Sequence, residues 1–324
     1  MTPRLAPLRI GTRGSPLALW QADRVGGRIA AAGRRQEYVR IETAGDLQRD
    51  TPLSRFGLQA VFSREIDQAL LDGRIDLAVH SLKDLPTRLS AGISLAAVTE
   101  REDPSDALVG RGPLRWTDLP AGAVLATCSL RRRAQALRAR PDLRIVEVRG
   151  NVGTRITELH RTPSWAGLIL ATAGLMRLGL ADRISQRLPF DLMLPAPGQG
   201  AMGVTVRADD AATAGLVLGL VDDHPTNLCT AAERALLRRL EGGCQVPVAA
   251  LATMVEGTAA PAVHLRARVV SLDGARMVEE TAHEAVKTAA DAERLGESLA
   301  ERLLANGAGP ILAEIRPAME ALSR

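Results

Sequence analysis

Short apolar runs alternate with amphipathic stretches through the first two thirds of the chain, and polar turns mark each change. Residues 8–13 read as a strand. Gly14-Ser15-Pro16 then opens a helix from Leu17 toward Ala32, with Gly33 as its stop. Residues 38–43 are strand-like, and residues 61–71 carry helical apolar spacing at Val61, Ile66, Ala69 and Leu70. Residues 76–81 form a continuous apolar strand that runs into Leu82-Lys83-Asp84-Leu85-Pro86, and residues 93–99 form another. After a charged break at residues 100–104 the pattern restarts. It gives a strand at 124–128, a helix with Ser129 as its cap, and a strand at 144–148 leading through Arg149-Gly150-Asn151-Val152-Gly153-Thr154-Arg155 into a helix. A further strand follows at 167–171. Residues 195–200 read as a hinge-like connector, and residues 202–206 as a strand returning to the first sheet. Strands alternating with helices predict parallel α/β sheets. Two such lobes joined by two crossings leave a cleft between them.

From Asp222 the texture changes. A helix is expected over 226–240, then Gly242-Gly243-Cys244, a strand over 246–253, and a hairpin of strands 263–271 and 277–281 joined through Asp273-Gly274. A long helix follows, with Leu295, Leu299 and Leu303 on one face and Asn306-Gly307 as its stop. The predicted architecture is therefore an α/β lobe of residues 1–99 with 201–218, a second α/β lobe of residues 105–194, and a C-terminal α+β domain of residues 222–324. No internal sequence repeat is visible.

Composition narrows the function classes. The 324 residues, 46% of them hydrophobic, suffice for large cores in two or three domains. Residues 1–12 hold no apolar run long enough for a signal peptide, and no segment reaches membrane-spanning length. Cys128, Cys229 and Cys244 form an odd set without C-x-x-C spacing, against a disulfide framework or a zinc site. A cytoplasmic, metal-free monomer with no membrane partner is expected. The net charge of +4 points to anionic partners, but aromatic residues at 2% are too few for base stacking, so nucleic acid is disfavoured. All basic residues but Lys83 and Lys287 are arginine, which singles out Lys83.

Candidate chemistry gathers at the carboxyl ends of the predicted strands, where open α/β sheets bind ligands. Those ends carry Arg13 and Ser15; Ser81, Lys83 and Asp84; Thr127 and Ser129 with Arg131 and Arg132; and Arg149, Gly150 and Arg155. Helix N-termini and arginines together favour anions, carboxylates above all. Neither G-x-G-x-x-G nor a P-loop is present, so a nucleotide is unsupported. Asp84 is a carboxylate among cations, suited to stabilise a cationic intermediate or move a proton, though a turn residue before Pro86 would read the same. His80 reads as a satisfied core residue. Cys244 follows two glycines that place its sulfur on an exposed turn, where a tether or nucleophile belongs; a small buried residue is the plainer alternative.

Six motifs in order carry a resemblance to the porphobilinogen deaminase (hydroxymethylbilane synthase) family. They are Gly11-Thr12-Arg13-Gly14-Ser15-Pro16-Leu17-Ala18, Ala78-Val79-His80-Ser81-Leu82-Lys83-Asp84-Leu85-Pro86, Ser129-Leu130-Arg131-Arg132, Arg149-Gly150-Asn151-Val152-Gly153-Thr154-Arg155, Pro197-Gly198-Gln199-Gly200-Ala201 and Glu241-Gly242-Gly243-Cys244-Gln245-Val246-Pro247. The resemblance implies two lobes similar to periplasmic binding proteins plus a third domain bearing the cysteine. It implies a dipyrromethane cofactor held as a thioether on Cys244, and four porphobilinogen molecules joined head to tail with loss of ammonia to give hydroxymethylbilane, for porphyrin and haem biosynthesis. By the same likeness Asp84 is the catalytic carboxylate. Lys83, Ser81, Thr127, Ser129, Arg131, Arg132, Arg155 and Gly150 would hold the cofactor, and Arg13, Ser15, Arg149, Arg155 and Arg177 the substrate. One departure stands out: many relatives carry a Gly-Gly-Lys-Gly loop before a phenylalanine, and this chain has Gly57-Leu58-Gln59-Ala60-Val61-Phe62, with Arg55 as a nearby cation. The rival reading is a two-lobed carboxylate-binding sensor without chemistry, which would need neither Asp84 nor Cys244. Cysteine-based acyl transfer lacks a recognisable base and oxyanion motif.

Overall fold

The structure, a computed structural model, describes residues 6–43, 64–240, 246–255, 257 and 261–315. The chain opens with strands β1 (Leu8–Thr12), β2 (Gln36–Arg40), β3 (Leu77–Ser81) and β4 (Ile93–Val98). A first crossing leads to β5 (Asp106–Val109), β6 (Val124–Ala126), β7 (Arg144–Val146), β8 (Trp165–Ala171) and β9 (Gln186–Arg187). A second crossing returns the chain to β10 (Met202–Arg207), and β11 (Val248–Val255), β12 (Ala262–Val270) and β13 (Met277–Ala285) complete the set.

The first sheet has the order β2-β1-β3-β10-β4 and the second β7-β6-β8-β5-β9. The two share one plan. β1 is parallel to β2 and β3, as β6 is to β7 and β8. The expectation of wholly parallel sheets fails at one strand in each: β10 is antiparallel to β3 and β4, and β5 to β8 and β9. Topology supplies the reason. β4 and β9 both end at the carboxyl edge of their sheets, so the chain crosses there and must enter the next sheet running back down. The crossings therefore lie beside the carboxyl ends of the strands. There Glu102 N–H donates to the Gly200 carbonyl (3.0 Å) and Leu82 N–H to the Ala201 carbonyl (3.0 Å).

Helices cover both faces of the first sheet, which is why its central strands β3 and β10 are almost entirely buried. Ala22, Val25 and Ile29 of the helix Pro16–Ala31 and Val217 and Val221 of the helix Ala211–Val221 join one apolar cluster. Ile66, Ala69 and Leu70 of the helix Arg64–Leu71 join another. In the second sheet the helices Leu130–Ala139, Val152–Arg161 and Thr172–Arg177 play the same part. Among the described residues no helix is long and apolar enough to cross a membrane.

The C-terminal unit is the antiparallel sheet β11-β12-β13 with the helices His224–Arg239 and Ala289–Leu303 on it. These two helices touch at Gly296, where a Cβ would lie 2.1 Å from the Ala232 carbonyl oxygen, so only glycine permits the approach. The first of them places Glu233 in the interior. Its carboxylate accepts from Arg101 of the first crossing (2.9 and 3.0 Å), from Gly198 N–H of the second (2.6 Å) and from Ala252 N–H of β11 (2.7 Å). One buried acid thus ties both crossings to the C-terminal sheet.

Candidate active site

β3 is a buried apolar run that stops at Ser81, and a single turn, Leu82–Asp84, follows it. Leu82 is buried while Asp84 is exposed. Asp84 shares a recess with Arg13, Ser15, Gln21, His80 and Ser81. Arg13 follows the end of β1, and Ser15 caps the next helix by accepting from Ala18 N–H at 3.3 Å, with Pro16 in its first turn. Ser81 Oγ accepts from Gln21 Nε2 at 2.8 Å. His80 lies against Thr205 Oγ1 (3.1 Å), and burial, with Arg13 nearby, lowers its imidazole to about 4. It is a neutral core residue, as its apolar neighbours in the sequence indicate.

From the second sheet, Thr127 Oγ1 accepts from Ser129 N–H (3.2 Å), and Ser129 caps the helix that carries Arg131 and Arg132. Both arginines are buried, at 4% and 5% exposure, and both meet Asp106 at the start of β5. Arg131 Nη1 donates to Asp106 Oδ2 (2.7 Å) and to the Leu194 carbonyl (2.7 Å); Arg132 donates through Nε and Nη2 to Asp106 Oδ1 (3.0 and 2.8 Å). Burial acts to raise the Asp106 carboxyl, but the two guanidinium charges and their hydrogen bonds outweigh it and hold the group well below the ordinary carboxylate range.

Gln199 connects this cluster to the first lobe. Its Nε2 donates to Asp106 Oδ1 (2.9 Å) and its Oε1 accepts from Lys83 Nζ (3.1 Å). Burial first, then the Arg132 charge, lowers the Lys83 ammonium to about 8, against the opposing pull of Asp84 and Asp106. Three cations, Lys83, Arg131 and Arg132, therefore surround one buried carboxylate, and the surplus positive charge sits where the lobes meet. Asp106 and Gln199 are the residues that the sequence reading did not single out for this cluster. The available signal was an acid inside the run Asp106-Ala107-Leu108-Val109, which demands a buried counter-charge.

The remaining candidates stand apart. Gly150, at φ +98°, lets the chain turn after β7; its carbonyl accepts from Arg155 Nε (2.7 Å), and Arg149 Nε donates to Glu147 (3.0 Å). Arg177 is in a second recess, with Trp20, Arg24, Arg28 and Arg101. Its guanidinium lies 5.6 Å from the Trp20 ring centroid and donates to the Gly200 carbonyl, and burial lowers it to about 10. Cys244, the loop Gly57-Leu58-Gln59-Ala60-Val61-Phe62 and Arg55 lie outside the described residues.

Residues 8–215 match the family model described as porphobilinogen deaminase, dipyromethane cofactor binding domain, and residues 227–305 match porphobilinogen deaminase, C-terminal domain. The chain belongs to the porphobilinogen deaminase family. Among its relatives, the porphobilinogen deaminase of Desulforudis audaxviator is 50% identical over 309 residues, covering 95% of this chain and 97% of that protein. That of Geobacter metallireducens is 48% identical over 311 residues, covering 95% and 94%. Solved structures with a likeness include a periplasmic substrate-binding protein of an ABC transporter from Coxiella burnetii, at 18% identity and TM-score 0.41, covering 66% of this chain and 91% of that one. The methionine-binding protein MetQ is similar at 15% identity and TM-score 0.43, covering 66% and 89%. In family terms, the first matched domain contributes every strand of both mixed sheets, and with them the Asp84 recess and the Asp106 cluster.

Proposed function

We propose that this chain is a hydroxymethylbilane synthase that joins four porphobilinogen molecules head to tail, grown from a dipyrromethane held as a thioether by Cys244. The carrying observation is the exposed Asp84 carboxylate after β3, which shares a recess with Arg13 and directly follows Lys83, itself linked through Gln199 to the Asp106 carboxylate that holds Arg131 and Arg132. The donor set fits a dipyrromethane, which brings four carboxylates: Lys83, Arg131 and Arg132 exceed the charge of Asp106, and Ser81, Thr127, Ser129, Gly150 and Arg155 add hydroxyl, backbone and guanidinium groups at the same strand ends. When bound, that group supplies an electron-rich pyrrole carbon to which the first substrate is joined.

Arg13, Ser15, Arg149, Arg155 and Arg177 are assigned to the acetate and propionate of the incoming porphobilinogen, since guanidinium matches carboxylate geometry. Loss of ammonia from the substrate's aminomethyl carbon leaves a cation delocalised over its ring. Asp84 stabilises that charge and takes part in the proton transfers that bracket carbon–carbon bond formation. Each addition forms one carbon–carbon bond and releases one ammonia, and one water frees the finished tetrapyrrole. The purified protein incubated with porphobilinogen is therefore expected to release four ammonia per hydroxymethylbilane, measured by parallel ammonia and product assays. Substrate binding without ammonia release would leave the carboxylate-binding reading instead.

Lys83 gives cofactor loading a pH dependence. Its ammonium loses its proton as pH rises through about 8, and with it one anchor for carboxylates. The rate at which cofactor-free protein acquires the two-pyrrole adduct is expected to fall above this pH in the wild type and to stay flat in Lys83→Arg, whose guanidinium remains charged. Following adduct formation by intact mass at constant ionic strength checks this; identical profiles for the two proteins would remove Lys83 from cofactor binding.

A further inference from the structure

The helix Leu130–Ala139 presents Arg131 and Arg132 at its first turn and meets the C-terminal unit through Leu130, Gln135 and Arg138. Leu130 packs against the apolar cluster of that unit. One turn beyond Arg131, Gln135 is 3% exposed. Its Nε2 donates to the Leu194 carbonyl (3.0 Å), and its Oε1 accepts from Leu194 N–H (3.0 Å) and from Arg268 Nη1 of β12 (2.9 Å). The same Leu194 carbonyl receives Arg131 Nη1. Arg268 is itself 5% exposed and is held by Glu279 of β13. At the far end of the helix, Arg138 Nη1 donates to the Ala275 carbonyl (3.0 Å), beside Gly274, whose Cβ would lie 2.4 Å from Arg138 N.

We infer that Arg268 is a positioning residue: through Gln135 and Leu194 it fixes the guanidinium of Arg131, so that the C-terminal sheet sets the anion-binding geometry of the second lobe. An amide side chain has two orientations that differ only in which end accepts. Arg268 and Leu194 N–H both demand the oxygen on one side, so Gln135 holds one orientation and keeps its amide N–H on the carbonyl it shares with Arg131. Without Arg268 the buried amide loses a charge-assisted bond, and the Leu194 N–H alone is left to hold the orientation that keeps Gln135 on the shared carbonyl. The inference rests on the assignment of Arg131 to carboxylate binding made above.

Arg266 supplies the control. It pairs with the same Glu279 (2.6 Å) and with Asp191 (2.6 Å), and makes no hydrogen bond to Gln135. Full-length Arg268→Met, Gln135→Leu, Arg266→Met and Arg131→Leu are compared by KM and kcat for porphobilinogen and by the fraction of purified protein carrying a two-pyrrole adduct in denatured mass spectra. Arg268→Met and Gln135→Leu are expected to lower the adduct fraction by about fivefold, with KM and kcat of the loaded protein little changed. Arg266→Met is expected to stay within about twofold of wild type on both measures. If Arg268→Met does not fold, Gln135→Leu against Arg266→Met makes the same comparison. Impaired Arg131→Leu beside unaltered Arg268→Met and Gln135→Leu overturns the inference and leaves the proposed function standing. Equal losses in Arg266→Met and Arg268→Met, tracking loss of thermal stability, also overturn it. Wild-type behaviour of Arg131→Leu itself would instead overturn the anion-binding assignment.

Discussion

Replacing Asp84 with alanine is expected to lower kcat by roughly 10²–10⁴-fold, the range for a positioned acid or base, while the protein still folds and still carries pyrrole units. Folding is spared because the side chain is exposed and no hydrogen bond or ion pair among the described residues depends on it. Binding is expected to be spared because the cations proposed for the substrate carboxylates are other residues, Arg13, Arg149, Arg155 and Arg177. What is lost is, among the described residues, the one carboxylate lining the recess, and with it the stabilisation proposed for the charge left when ammonia departs. Steady-state kinetics with intact mass spectra in parallel separate the two effects. A kcat within about threefold of wild type would remove Asp84 from the chemistry.

The second large effect concerns Asp106. Arg131 and Arg132 are buried against its carboxylate, with Gln199 on the same oxygen as Arg132. Asp106→Leu leaves two buried guanidinium groups with no compensating charge, a change that costs about 3–5 kcal/mol. Denaturant unfolding should report this loss, and cofactor loading should fall with it because the arginines lose their orientation. The same carboxylate predicts an acid limb. Its folded-state value is depressed, so its stabilising contribution is present above the ordinary carboxylate value and is lost as pH falls below about 4. Wild-type stability is expected to decline there, and Asp106→Asn to show a shallower decline from a lower starting point. Unfolding free energies for Asp106→Leu equal to wild type would mean that the pair is replaceable by packing alone.

How far the sequence reveals this arrangement depends on whether the signal is local. β3 is legible because a fully covered strand writes a continuous apolar run, and the turn after it is legible because Lys83-Asp84 and Pro86 interrupt that run abruptly. Ser129 is legible as a cap from its place before an amphipathic segment and accepts a first-turn N–H as expected; Ser15 and Asn151 do the same at their helices. β5 and β9 escape such reading because they span only four and two residues, and β5 begins with a charged side chain. The helix Ala211–Val221 escapes it because its sequence, Ala-Ala-Thr-Ala-Gly-Leu-Val-Leu-Gly-Leu-Val, is apolar nearly all round and shows no period. Strand sense is not local at all. That β5 and β10 run against their neighbours follows from where the crossings lie.

Pairing between distant residues is the least visible layer. Arg131 and Arg132 announce an anion, and nothing near them in the chain says that one of their partners is Asp106, 25 residues earlier. Glu233 occupies the buried stripe of its helix with Cys229, Ala232 and Leu236, an anomaly that marks a buried ion pair without naming Arg101 as the other half. Burial raises the Cys229 thiol to about 12, with Glu233 adding to the effect, which fits a packing role; Cys128 is half-buried, and Cys244 is the cysteine proposed for covalent chemistry.

That last assignment is the point on which the mechanism turns, and the denatured intact mass of the purified protein addresses it without reference to activity. The account predicts a polypeptide heavier by two linked pyrrole units, and Cys244→Ser at its bare polypeptide mass. A wild-type protein at the bare mass, or an adduct that persists in Cys244→Ser, would contradict it.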